Sequence, residues 1–265
     1  MSHLLVRRQL DELYHFCNSR RWVHPDPLEF LYHYPALEDR EVAGLIASSL
    51  AYGRVGQILK SVAWVLDALG PSPWAFLQSA SNPFLTQTFA GFRHRFTSGE
   101  EMALLLRGIK QVINRYGSLG TCFLKTYRSG DETILPSLTA FVGELSTPFK
   151  GRSNSLLSRP QKGSACKKLN LFLRWMVRED RVDPGGWDRV APSQLIIPLD
   201  THMHRIAIGL GFTNRRCASM KTALEITRAF REIDPEDPVR YDFALTRLGI
   251  RKDIPGFLPK KCLTS

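Results

Sequence analysis

The sequence predicts an all-α protein, on three observations. Apolar residues recur at spacings of three and four along nearly the whole chain, the period of one helix face. Serine starts and glycine stops punctuate those apolar runs. Only Gln194 to Leu199 could pass for a strand, and Pro198 within it speaks against one.

In chain order, a first helix is expected over about residues 3–18. Leu45, Ile46, Ser49 and Leu50 mark the next, and Ile58, Leu59, Val62, Val65, Leu66 and Leu69 form a second apolar stripe. Gly53 and Gly70 stand where these two should stop, and Pro71 follows the latter. Ser98-Gly99-Glu100-Glu101 is a capping box that opens a helix through Leu104, Leu105, Ile109, Val112 and Ile113, closed by Gly117. Further helices are expected over about 131–146, 165–178, 201–210, 219–231 and 237–248. The segment 147–163, rich in Pro, Gly, Ser and positive charge, reads as a surface loop.

The 265 residues carry 36 Lys+Arg against 25 Asp+Glu, a net charge of +11. Such a surplus points to a polyanionic partner, nucleic acid before membrane. Apolar runs such as Leu195 to Ile197 are far too short for a membrane span. The first ten residues lack an apolar core of signal-peptide length, so the expected compartment is cytoplasm or nucleoid. Cys17, Cys122, Cys166, Cys217 and Cys262 are scattered, with no CxxC pair. That excludes a sequence-evident zinc finger or a clustered iron–sulfur site, and most are expected as small buried hydrophobes.

Positive charge concentrates in 150–189, where ten Lys/Arg face four acids and supply +6 of the +11. Within it, Gly163-Ser164-Ala165-Cys166-Lys167-Lys168-Leu169-Asn170 is a small-residue turn feeding an apolar helix. Thirty-three positions after Lys167, Asp200 opens another helix in Pro198-Leu199-Asp200-Thr201-His202-Met203-His204-Arg205. An aspartate there is commonly an N-cap, and most lysines are simply solvated. A lysine in a first helical turn, however, lies beside the positive end of the helix dipole, which disfavours an ammonium as an amine nucleophile requires.

These two segments resemble the helix-hairpin-helix, Gly-Pro-Asp superfamily of base-excision DNA glycosylases. Lys167-Lys168-Leu169-Asn170 is similar to that family's K-T-A-N helix start, which implies the nucleophile role for Lys167. Leu199-Asp200-Thr201-His202, with Arg205, is similar to its V-D-T-H-x-x-R motif and implies the catalytic aspartate role for Asp200. Leu45 to Arg54 is similar to the helix end that reaches toward the lesion. The family's P-G-V-G turn has only Pro160-Gln161-Lys162-Gly163-Ser164 as its counterpart, and the endonuclease III cysteine cluster is absent. Both the longer lysine-to-aspartate interval and that absence are closer to the archaeal 8-oxoguanine glycosylase branch. The chain also resembles an uncharacterised, conserved glycosylase-like family.

The resemblance implies a two-lobed helical fold with the DNA cleft between the lobes. N-terminal helices in 1–40 would fold onto the C-terminal lobe, 41–146 would form one lobe, and 147–265 the other. It implies a monomer without cofactor or metal that excises a damaged base from double-stranded DNA, oxidised purine first, with coupled lyase activity. Arg152, Lys162, Gly163, Ser164, Lys168, Thr201, His202 and Arg205 are the expected DNA contacts. Tyr52, Arg54, Trp175 and Trp187 are candidates for the base pocket or for filling the vacated stack, although Trp175 on its apolar helix also reads as core. The alternatives are a non-catalytic DNA-binding module, or a monofunctional glycosylase in which Asp200 activates water. Asp200-Thr201-His202-Met203-His204 also matches the DxHxH of metal hydrolases, but on a helix positions i and i+2 diverge by about 200°. No histidine follows His204 to complete such a site.

Overall fold

Local signals set most of the element boundaries. The computed structural model describes residues 3–251 and 253–257. Cys262, and Met1 and Ser2 of the N-terminal segment, lie outside the described residues. The helices are α1 (His3–Cys17), α2 (Leu37–Ser49), α3 (Val55–Leu69), α4 (Pro73–Ser79), α5 (Asn82–Thr88) and α6 (Gly99–Tyr116). They continue with α7 (Leu119–Leu124), α8 (Leu135–Leu145), α9 (Lys167–Val177), α10 (Thr201–Leu210), α11 (Met220–Ile233) and α12 (Asp242–Ile250). Among the described residues the strands are β1 (Arg93–His94) and β2 (Thr97–Ser98), an antiparallel pair with His94 opposite Thr97. The fold class is all-α.

Several starts are chemically marked. Ser98 caps α6 in a full capping box with Glu101, and Gly117 ends that helix at φ +86°. Ser72, Ser81, Ser118 and Ser219 each accept a backbone N–H at the starts of α4, α5, α7 and α11. Two helix boundaries are corrected. The helix through Leu45 ends at Ser49, four residues before Gly53, because Leu50 to Gly53 turns the chain directly into α3. The last helix starts at Asp242, later than the pattern suggested. Residues 194–199 form no strand; their backbone groups are taken by single contacts, Ile134 N–H to Gln194 O and Ile197 N–H to Thr227 Oγ1.

The chain forms two units. Among the described residues one comprises 3–23, 130–134, 160–251 and 253–257; the other comprises 24–129 and 135–159. In the second unit α6 is the central helix, packed against α4, α5, α7 and α8. Glu41 of α2 is buried and its carboxylate accepts Leu119 N–H and Gly120 N–H, capping α7 from another element. In the first unit α12 packs on both α1 and α10. Its core includes Leu10, Leu13, Phe172, Trp175, Ile206, Phe230 and Tyr241. No helix among the described residues is long and apolar enough to cross a membrane.

Cys17, Cys122 and Cys166 are buried and Cys217 is exposed. Burial pushes the three buried thiols up, to about 11, about 12 and about 11 respectively.

Candidate active site

The turn before α9 is built from small residues under constraint. Gly163 adopts φ +75° and its carbonyl accepts Met220 N–H at 2.9 Å, tying the turn to the start of α11. Ser164 bridges Ser219, and its hydroxyl accepts Cys166 N–H. Cys166 then holds φ +49°, a left-handed conformation uncommon for a side chain of its kind. Buried Asn170 donates from Nδ2 to Ala165 O at 3.0 Å and clamps the turn from inside the first helical turn. The asparagine of the K-x-x-N pattern therefore has a structural task, and Lys167 becomes the first residue of α9.

Asp200 caps α10 and does so with one oxygen only. Oδ1 accepts His202 N–H and Met203 N–H, both at 2.9 Å. Oδ2 stands 4.0 Å from Lys167 Nζ, with both side chains about one-third exposed. The carboxylate is oriented by the helix it starts and presents its second oxygen to the amine. Thr201 follows as an exposed first helical residue.

His202 and Arg205 form the next layer. Arg205 Nη2 and His202 Nδ1 are 2.8 Å apart. Burial lowers the imidazole below its ordinary value; the Asp200 charge opposes that and the Arg205 charge adds to it. Gly249 of α12 lies so close that a Cβ there would sit 1.7 Å from His202 Cε1, so only glycine lets α12 approach. His204 turns away and makes a 2.8 Å contact with Arg215 O. The two histidines of the DxHxH string thus have different surroundings. Among the described residues no cluster of three or more His, Cys, Asp or Glu could hold a metal.

The remaining expected residues divide sharply. Lys162 and Gly163 are exposed, and Ser164 and Lys168 are half-buried, all on the turn or first helical turn beside Lys167. Arg152 is exposed but lies in the other unit, paired with Glu100 at 3.1 Å. Tyr52 and Arg54 also belong to that unit; Tyr52 is half-buried and Arg54 exposed. Trp175 and Trp187 are corrected to core positions, 0% and 3% exposed, with Trp187 packed edge-on against Phe172. Neither offers a ring face to an extruded base.

Behind Lys167 lies a buried charge network that the sequence reading passed over. Arg174, two helical turns after Lys167 on the same stripe of α9, bonds Asp183 at 3.0 Å and Asp242 at 2.5 Å. Arg178 bonds Asp183, Asp180 and Asp237, and Tyr14 donates to Asp180. Two of the ten cations of 150–189 are therefore internal and neutralised, so the surface of that stretch is less basic than its composition. The signal that could have found Arg174 is its place in a helix whose residues from Phe172 to Val177 are all buried, and Arg178 follows directly at the end of that helix.

Asp242 is fully buried, and burial pushes its carboxyl up to about 6 against the pull of Arg174, with Asp200 raising it and Lys167 lowering it. The folded chain holds a proton there more tightly than the unfolded chain. This group's contribution to stability is therefore complete below its ordinary 3.8 and is lost as pH rises through about 6. Asp242→Asn should flatten the stability change across that window, by at most roughly 3 kcal/mol, in urea titrations at stepped pH. A slope unchanged by the substitution would mean that Asp242 is ionised throughout.

A family model described as protein of unknown function, DUF2400, matches residues 26–251. No curated protein and no solved structure matches the chain.

Proposed function

For this chain, which belongs to the DUF2400 family, we propose the activity of a DNA glycosylase with coupled lyase activity, acting on a damaged base in double-stranded DNA. The supporting observation is the meeting of Lys167 Nζ and Asp200 Oδ2 at 4.0 Å, each at the first turn of its own helix. An amine beside a carboxylate whose other oxygen is fixed by two backbone N–H groups is suited to displacement at a sugar carbon.

In this reading the nucleotide is flipped from the stack at a cost of a few kcal/mol, offset by phosphate contacts. The Lys167 amine forms a bond to C1′ as the glycosidic bond breaks and its electron pair leaves with the base. The proton lost from nitrogen passes to Asp200 Oδ2, which also stabilises the cationic sugar in the transition state. Ring opening places the C1′–O4′ electrons and a proton on O4′ and leaves an iminium at C1′. Loss of a C2′ proton then expels the 3′ phosphate. The resemblance to the archaeal branch favours oxidised purines, 8-oxoguanine first. The helix starts at Lys167 and Thr201, with Lys162, Lys168 and the backbone around Gly163 and Ser164, would face phosphate.

The test is a panel of lesion-bearing duplexes with and without borohydride. Reduction should trap a covalent protein–DNA adduct with the unaltered chain and none with Lys167→Gln. An undiminished adduct in that variant moves the nucleophile to Lys168 or Lys162. Excision without any adduct would favour the monofunctional reading with Asp200 activating water.

A further inference from the structure

The two-residue loop between β1 and β2 breaks a local rule. The pairing of His94 with Thr97 leaves Arg95 and Phe96 as the loop. Two-residue hairpin loops demand a positive φ at the first position and strongly prefer glycine, asparagine or aspartate there. Here an arginine takes φ +51°. The next residue, Phe96, is 77% exposed, with the Arg95 guanidinium 5.4 Å from its ring. A strained cation followed by a bare aromatic ring is unfavourable for folding and soluble behaviour alike, and such local conflicts concentrate at functional positions.

Below the tip the hairpin is braced by side-chain hydrogen bonds. Tyr52 hydroxyl donates to His94 O at 2.9 Å and lies 2.7 Å from Thr97 Oγ1, which in turn lies 2.5 Å from Ser155 Oγ. The buried His94 ring contacts Ser61 Oγ and Tyr52 O, and packs edge-on against the Tyr52 ring. The Arg95 side chain covers Gly53, where a Cβ would stand 2.8 Å from its Cδ. The surroundings are cationic: Arg54, Arg93 and Arg95 are exposed and, among the described residues, in no ion pair. Residues 52–54, 93–98 and 150–159 contain no acid; Glu100 and Glu101 follow directly, the first paired with Arg152 and the second held by the cap at Ser98.

We propose that this hairpin is a duplex-DNA wedge, in which Phe96 inserts at a base step while Arg54, Arg93 and Arg95 hold the flanking phosphates. The polymer rests on the glycosylase reading above; the wedge itself rests on the hairpin. One ring at a narrow, braced tip fits a single base step. A single-strand platform instead presents several aromatic rings to successive bases. With no acid in these loops, the charge fits a polyanion.

The experiment uses the full chain carrying Lys167→Gln, so that no chemistry intervenes, and a duplex with 2-aminopurine beside an abasic-site analogue. Binding should raise the 2-aminopurine fluorescence as the step unstacks. Adding Phe96→Ala should remove the rise and weaken binding by about tenfold, with thermal stability unchanged. Arg95→Gly relieves the strained φ, so it should keep or raise thermal stability while weakening binding and reducing the log–log salt slope by about one. Phe96→Ala with the full fluorescence rise, or Arg95→Gly with undiminished affinity, would overturn the wedge. So would a Phe96 effect of equal size on single strands. Excision measured in parallel with the lysine intact separates the two readings. A chain that excises no base yet shows the Phe96-dependent rise keeps the wedge and loses the glycosylase. One that excises while Phe96→Ala leaves the rise intact does the reverse.

Discussion

On the proposed glycosylase activity, Asp200→Asn should lower base excision by about two to three orders of magnitude while fold and DNA affinity persist. The geometry makes this substitution unusually clean. Oδ1 serves the helix by accepting His202 N–H and Met203 N–H, and an asparagine oxygen caps as well as an aspartate oxygen. Only the charge facing Lys167 Nζ is removed. Asp200→Ala loses both functions and should cost about 1 kcal/mol of stability in addition. Single-turnover excision rates, thermal melts and duplex binding of the two variants separate the roles. Should excision survive in the asparagine variant, with stability falling only in the alanine variant, Asp200 is a cap and nothing more.

Asp183→Ala should be among the most destabilising single changes in the chain, by about 3–5 kcal/mol in urea unfolding. Asp183 has no exposure and bonds two arginines, Arg174 and Arg178, that are themselves 3% and 5% exposed. Burial pushes its carboxyl up, and the two guanidinium groups oppose that shift. Removing it leaves Arg174 Nε and Nη2 and Arg178 Nη1 buried without their acceptor, and unsatisfied buried donors on a charged group are costly. The loss is a sizeable share of the roughly 5–15 kcal/mol that holds a domain together. Arg174 lies in α9, the helix that starts with Lys167, and Arg178 is the residue that ends it. Excision should therefore fall alongside stability, and an Asp183→Ala chain of normal stability would show that the network is dispensable.

The legible parts of the sequence were those with local causes. The Ser98–Glu101 capping box, the glycine at 117 and the aspartate at 200 act through backbone groups within a few residues, so their spacing announces them. The lysine turn was readable for the same reason. The β1–β2 hairpin escaped because its strands are two residues each and its tip carries arginine in place of the expected glycine. The charge surplus of 150–189 misled in part because composition does not say which cations face inward. Arg174 meets its partner Asp242 across 68 positions of sequence. Trp175 illustrates the same point in apolar form: as an aromatic it could have lined a pocket, and its place on the inward stripe of α9 buries it completely.

By itself the sequence determined the all-α class, the starts of α6, α10 and α11, and the two segments that carry Lys167 and Asp200; α4, α5 and α7 escaped it. What it determined follows from periodicity and capping, which are short-range physics. Only the tertiary structure decided that Lys167 Nζ meets Asp200 Oδ2, and that Arg174 and Arg178 are sealed among four aspartates. It also decided that Arg95 and Phe96 stand out at a braced tip. Each of these depends on which helix face turns inward and on partners far apart in the chain, and that choice is made by burying apolar surface as a whole.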